Sequence, residues 1–435
     1  MTDDTREDSR EDDAAEERHA SWLELFFDLV VVAGIGALAH LLHEDSTAGG
    51  VGLYAVAFTA FWLVWACFTT YGNLRAARTQ VATMLVGMAA LAVMTASVFA
   101  IDEHGGAFAV AYVVGRFVAS RPWNRGTVVV DLPVVQAGIG IVPWVVSWWF
   151  VGTAQHVLWA VGLGLDLMLV LSSSRGRMVA DMQRRLERVR AGRDGRRSRR
   201  GRGRIADRDI PATLDVAEAD LPHLAERMSL FMLIVLGESL IQAIDGAADA
   251  VWGRPLAVTA AGVFVLVVGL WAASVQRGSA GVALLAPGLL APRLAWVAHL
   301  VTTGAVATLA AVVATFTAAP QSVVSAHDRT LVVVALAVYG AAGVAVHLGV
   351  ALTRPPARSA VRRASLVRAA CVGLPITLAV GAALLHRDGT AERFVWELAG
   401  GVVLVLVADG LASGRLGRRS PGRPGHQGAV DSSSS

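Results

Sequence analysis

Two acidic residues, Glu24 and Asp28, stand four positions apart in "WLELFFDLVVVAGIGALAHLL", residues 22–42. The rest of that stretch is apolar and long enough to cross a bilayer, where an ionised carboxylate costs at least about 2.5–3.5 kcal/mol. A spacing of four puts both carboxylates on one helical face. Acids kept at such a cost either take up protons or cations along a polar path, or neutralise a cation on a neighbouring helix. A negative charge near a helix N-terminus also gains from the helix dipole. Either chemistry turns this face towards the bundle interior.

A second stretch, "HLAERMSLFMLIVLGESLIQAI", covers residues 223–244. Glu226 and Arg227 mark its polar end, and Glu238 follows roughly 18 Å further along the axis, close to the bilayer midplane. Gln242 lies one turn beyond on the same face. A glutamate there is too short to snorkel, so it must be protonated, paired or turned to a hydrated cavity. Gly237 beside it would permit close approach of another helix. Asp166, in "LWAVGLGLDLMLVLSSS", also lies mid-span, His299 lies about two turns in from Arg293, and Arg116 is the cation best placed for an acidic partner. The pathway candidates are thus Asp28, Glu238, Glu24, Asp166, His299 and Gln242, with Arg227, Arg116 and Glu226 as charge partners. His40, His347, Glu397 and Asp409 fall near span ends and are expected at the interface. The sequence offers no metal cluster, no paired-aspartate motif for a diphosphate and no nucleophile triad, so no catalytic residue, metal or cofactor is expected. The glycine pairs "GIG" and "GLG" lie within apolar spans and read as helix packing, not as a dinucleotide site.

The elements that must position these groups are membrane helices. The chain has 435 residues, 54% of them hydrophobic and only 17% charged, and the charge is concentrated between apolar segments. Those segments run to about 20 residues, the length needed to cross the hydrocarbon. The expected fold class is an all-α, polytopic integral membrane bundle of about 12 transmembrane helices. Spans are predicted near 22–42, 51–70, 81–101, 106–120, 127–149, 153–173, 227–244, 255–275, 294–317, 329–351, 366–386 and 394–412. The segment 106–120 is short enough for a re-entrant placement. The expected organisation is an acidic tail (1–21), a first membrane half (22–173), an Arg-rich insert (174–222), a second half (223–412) and a disordered tail (413–435). Six spans per half would make the halves parallel repeats.

Every one of the basic side chains is arginine, and the net charge is +3. Arginines recur in alternate connections, whereas "HEDSTAGG", "DEHGG" and "VGT" hold none. That alternation places both termini in the cytoplasm. The insert's arginines, Arg175 to Arg208, are not interleaved with aromatics that could stack bases, so they read as a contact for anionic lipid headgroups and not for nucleic acid. The two cysteines, Cys67 and Cys371, lie far apart in apolar segments and suggest neither a metal nor a disulfide. The N-terminus lacks the basic and apolar regions of a cleavable signal peptide.

"WLELFFDLVVV" and "HLAERMSLFMLIVLGES" together resemble the two signatures of the bacterial low temperature requirement A (LtrA) family. Within that resemblance Glu24, Asp28, Glu226, Arg227, Gly237, Glu238 and Ser239 occupy signature positions, and His299 falls where the family often has a histidine after an aromatic. The chain departs from the pattern in "YGNLRAART", which keeps Asn73 but lacks an acidic run, and in "WAASVQRG", which lacks an aromatic-Asp ending. The resemblance implies a membrane protein but no settled reaction. The residues themselves point to a proton- or cation-coupled carrier of a small molecule, with Asp28 and Glu238 as ion sites in one wet interior pocket. The alternatives are a membrane-embedded enzyme acting on lipid or isoprenoid, and a non-catalytic component of membrane stress adaptation whose polar residues only join helices.

Overall fold

The computed structural model describes residues 20–417, apart from 45–46, 76–78, 121–126, 130, 137, 249, 286, 356–357, 387 and all of 173–214 except 180, 183–184 and 187–188. The acidic tail before residue 20, nearly all of the Arg-rich insert with its expected lipid contact, and the tail after residue 417 lie outside the described residues.

Ser21 starts the bundle. Its hydroxyl accepts from the Glu24 amide at 3.3 Å while Glu24 Oε2 accepts from the Ser21 amide at 2.9 Å, a reciprocal cap that opens α1 (Trp22–Ala37). A single turn residue, Leu38, separates α1 from α2 (Ala39–Glu44). There follow α3 (Ala48–Arg75), α4 (Val81–Val98), α5 (Ile101–Ser120), a six-residue α6 (Ile141–Val146) and α7 (Thr153–Ser172). The second half comprises α8 (Leu221–Ala248), α9 (Arg254–Trp271) with a π-helical end (Ala272–Gln276), α10 (Pro292–Ala318), α11 (Ala326–Thr353), α12 (Ser359–Leu385) and α13 (Ala391–Gly417). Among the described residues ten helices are long and apolar enough to cross a membrane, with α1 and α2 counted together as Trp22–Leu42. The helix α5 is also twenty residues long, but it carries Asp102, Glu103 and Arg116.

The expected fifth helix does not form. Residues 127–149 instead give a strand β1 (Thr127–Val129), a 3-10 turn (Pro133–Val135), α6 and a second 3-10 turn (Ser147–Trp149). Hydropathy over this stretch is high, but Pro133 and Pro143 remove backbone donors, and Gly138 and Gly140 lower helix propensity. Side chains and backbone of neighbouring elements bond to it, as irregular backbone among membrane helices requires. Arg116 Nη2 donates to Val134 O at 3.0 Å, and Asp131 Oδ2 accepts from the Ala219 amide at 2.8 Å. Gly162 of α7 admits the segment, because a Cβ there would meet Gly140 O at 2.5 Å and Trp144 Nε1 at 2.7 Å. The strand β1 pairs in parallel with β2 (Asp215–Ala217), just ahead of α8, so the end of the insert is stitched to the first half. The tail expected to be disordered from residue 413 is helical at its start, since α13 continues to Gly417.

On either side of the insert the helices pack into a closed series. In the second half, α8 packs on α9 and α10, α10 on α11, α11 on α12, α12 on α13, and α13 returns to α9. In the first, α1 packs on α3 and α4, α4 on α5, α5 on α6, α6 on α7, and α7 returns to α3. The halves meet where α1 and α3 contact α8 and α10. At this seam α3 is buried without interruption from Ala60 to Asn73, with Phe58, Phe61, Trp62, Trp65 and Phe68 each at most 3% exposed. Close approach of α1 to α3 and α4 requires Gly34. A Cβ at that position would lie 2.8 Å from Thr95 Oγ1 and 2.9 Å from Phe61 Cδ1.

Gly34→Val should therefore lower stability by about 1–3 kcal/mol, the usual range for overpacking. Thermal unfolding of the detergent-solubilised chain reads this directly, and an unchanged melting temperature would contradict the packing described for α1.

Candidate functional site

The acids of α1 lie at the seam, but each has a different neighbour. Glu24 is 3% exposed. Its Oε2 also accepts from the Ser21 hydroxyl at 2.9 Å, and its Oε1 abuts Gly72 of α3, where any side chain would collide with it. His223 of α8 lies behind it. Asn73 is clamped by Asp220, donating from Nδ2 to the Asp220 carbonyl at 2.9 Å and accepting the Asp220 amide on Oδ1 at 2.9 Å. With its orientation fixed in this way, Asn73 Nδ2 donates to His223 Nδ1 at 3.1 Å. The neutral imidazole then carries its proton on Nε2, which points at Glu24 Oε2 from 3.6 Å.

One turn deeper, Asp28 is 0% exposed and pairs with Arg227, which is 1% exposed. Arg227 Nη2 and Trp65 Nε1 both donate to Asp28 Oδ1, each at 2.7 Å. The ring of Trp65 lies 4.1 Å from that of Phe231 and stacks at 5.2 Å on His299. Trp62 Nε1 donates to His299 Nδ1 at 3.0 Å, so Nε2 must hold the imidazole proton, and it donates to Met228 O at 3.0 Å. A second proton on His299 would break the Trp62 bond. His299 therefore ties α10 to α3 and α8 as a neutral group.

The cluster is incompletely satisfied. Glu24 Oε1, Asp28 Oδ2, His223 Nε2 and Arg227 Nε and Nη1 are all buried, and none has a hydrogen-bond partner among the described residues. Among the described residues two buried carboxylates face one guanidinium here, a net charge of one negative unit with both carboxylates ionised and His223 neutral.

The remaining expected site residues are dispersed. Glu238 does not join Asp28: its carboxylate lies against Gly36, roughly 12 Å along α1 from Asp28, where a Cβ would meet Oε1 at 2.7 Å. It is half-buried, and Gln242 Nε2 donates to Oε1 at 2.8 Å, as their spacing predicts. The glycine that makes room for Glu238 is Gly36. A Cβ on Gly237 would touch nothing, so the expected packing role of Gly237 is not found. Arg116 pairs with Asp166 at 2.5 Å and donates to Tyr112 Oη at 2.7 Å, holding the broken segment between α5 and α7. Glu226 Oε2 accepts from the Ala20 amide at 3.1 Å. His40 is exposed and Glu397 pairs with His386 and Arg393 near a helix end, whereas His347 and Asp409 are only 2% and 3% exposed, buried between helices. His223, Trp62 and Trp65 were not singled out in the sequence. Only the i−3 spacing of His223 from Glu226, on the face of Arg227, offered a signal. No grouping of His, Cys, Asp and Glu able to hold a metal ion occurs among the described residues.

Many apolar helices arranged around buried ion pairs define a multi-pass α-helical membrane protein. The chain belongs to the bacterial low temperature requirement A protein (LtrA) family, whose family model matches residues 19–408, and it thus includes both halves and the seam. No curated protein and no solved structure matches the chain.

Removing one member of a buried pair strands the other, at a cost of about 3–5 kcal/mol. Arg227→Leu and Asp28→Leu should each be destabilised to that extent, while the double replacement recovers most of the loss. Additive losses in thermal unfolding would show that the two charges do not depend on each other.

Proposed function

We propose that this LtrA-family protein is a proton- or cation-coupled carrier of a small molecule, and that the Glu24–Asp28–Arg227–His223 cluster is its ion-responsive element. The observation that carries this reading is the excess buried negative charge beside orphaned polar atoms. An uncompensated ion within a bundle costs several kcal/mol, and uptake of one proton or one monovalent cation removes that cost. Location supports it too, because carriers built from repeats place their coupling sites between the halves. The closed series of helices on either side of the insert favours parallel six-crossing repeats, with residues 127–149, a short helix among strand and 3-10 turns, as the fifth crossing. On that count the chain crosses twelve times, and both termini lie on the arginine-rich, cytoplasmic side of the bacterial plasma membrane. Glu238 and Gln242, half-buried further along the α1–α8 contact, are a second polar station on the same path.

One observation favours the rival reading, in which the polar groups only join helices: Asp28 is fully buried, and its Oδ1 is already taken by Arg227 and the Trp65 indole. Proteoliposomes carrying the full-length chain separate the two. Under an imposed membrane potential, entrapped pH- or sodium-sensitive dye should report ion flux in the wild type. Glu24→Gln should abolish that flux while unfolding near the wild-type temperature. Full flux in Glu24→Gln would remove the cluster from the mechanism, and no flux of either ion in the wild type would leave the packing reading in place.

A further inference from the structure

The second half buries an acid in a setting of opposite sign. Asp409 of α13 is shared by two arginines: Arg277 Nη1 donates to its Oδ2 at 2.7 Å, and Arg368 Nε of α12 lies 3.4 Å from Oδ1. Arg277 comes directly after the π-helical end of α9, where positive-φ Gly278 and Gly281 turn the chain beneath α11. A π-helical turn of this kind frequently marks a functional position. His347 of α11 is 2% exposed and makes no hydrogen bond to a described residue, yet Arg368 and Asp409 both act on it electrostatically.

Two guanidiniums against one carboxylate leave one positive unit. Each arginine has five N–H donors, and Asp409 engages one nitrogen of each. The two side chains are 35% and 37% exposed, so the excess charge is reachable at the end of the bundle that also holds the start of α12. Guanidinium forks match the geometry of phosphate oxygens, and paired forks hold them better than one. Basic pockets between membrane helices on the cytoplasmic side receive lipid headgroups.

We propose that Arg277, Arg368 and His347 form a binding site for a phosphate-type oxyanion, with Asp409 fixing the two arginines in place. The anion is either a phospholipid headgroup or free phosphate. The site is separate from the seam and does not depend on the carrier reading.

The test uses the full-length chain in nonionic, phosphate-free detergent, titrated with inorganic phosphate and, separately, with short-chain phosphatidylglycerol. At least one of the two should raise the unfolding temperature saturably. A response to the lipid alone identifies a headgroup site, and a response to phosphate alone identifies a free anion. Arg368→Gln should weaken the response at least about tenfold, the loss expected for a charge-assisted hydrogen bond. Its unliganded unfolding temperature should stay near the wild-type value, because the Arg277–Asp409 contact survives. His347→Gln gives a second reading that leaves all three charges intact, and it too should bind more weakly. The proposal is overturned if neither anion stabilises the wild type, or if both variants bind as tightly as the wild type.

Discussion

The contact between Asp28 and Arg227 sets the register of everything around it. Both side chains are sealed from solvent, so neither charge can be moved to water if the helices slide. Because Trp65 donates to the same carboxylate oxygen, α3 is fixed as well as α1 and α8. His299 extends the constraint to α10 through two hydrogen bonds that demand one tautomer. Two helices from each half are thereby locked together around one polar contact in an otherwise apolar seam. In lipid, where apolar burial gives helices little reason to associate, such contacts and close packing must carry the association.

The pairing also explains why the first helix keeps two acids instead of one. Asp28 answers Arg227, while Glu24 caps its own helix and then stands beside His223 with one oxygen unpartnered. The cap alone would be served by a neutral glutamine, so the charge on Glu24 exceeds what structure requires. The last helix of each half carries a related device, Asp166 with Arg116 and Asp409 with Arg277. The first of these is balanced one to one. The second has a positive surplus, opposite in sign to the seam.

Much of this arrangement was legible because charge in an apolar stretch is costly and must be answered. That logic singled out Glu24, Asp28, Arg227, Arg116 and Asp166, and it set Gln242 beside Glu238. It did not give depth and neighbour together. Glu238 and Asp28 share the α1–α8 contact at different levels, which helical spacing within one helix cannot reveal. Asp409 and His347 read as lying near span ends, but their burial by α11, α12, α13 and the loop after α9 could not be read from distance to those ends. Residues 127–149 read as a helix because hydropathy measures transfer to lipid and is blind to Pro133, Pro143 and the glycines between them. Trp62 and Trp65 carry no signal of their own in the sequence, and only the positions of Asp28 and His299 turn their indole N–H groups into partners.

The most direct test of the seam cluster is infrared difference spectroscopy of the full-length protein, comparing neutral with acid pH and sodium-free with sodium-containing buffer. The account predicts a carboxyl band that changes in one of these comparisons and is lost in Glu24→Gln or Asp28→Asn. Carboxyl bands that stay unmoved by both proton and sodium, in a protein that remains folded, would contradict it.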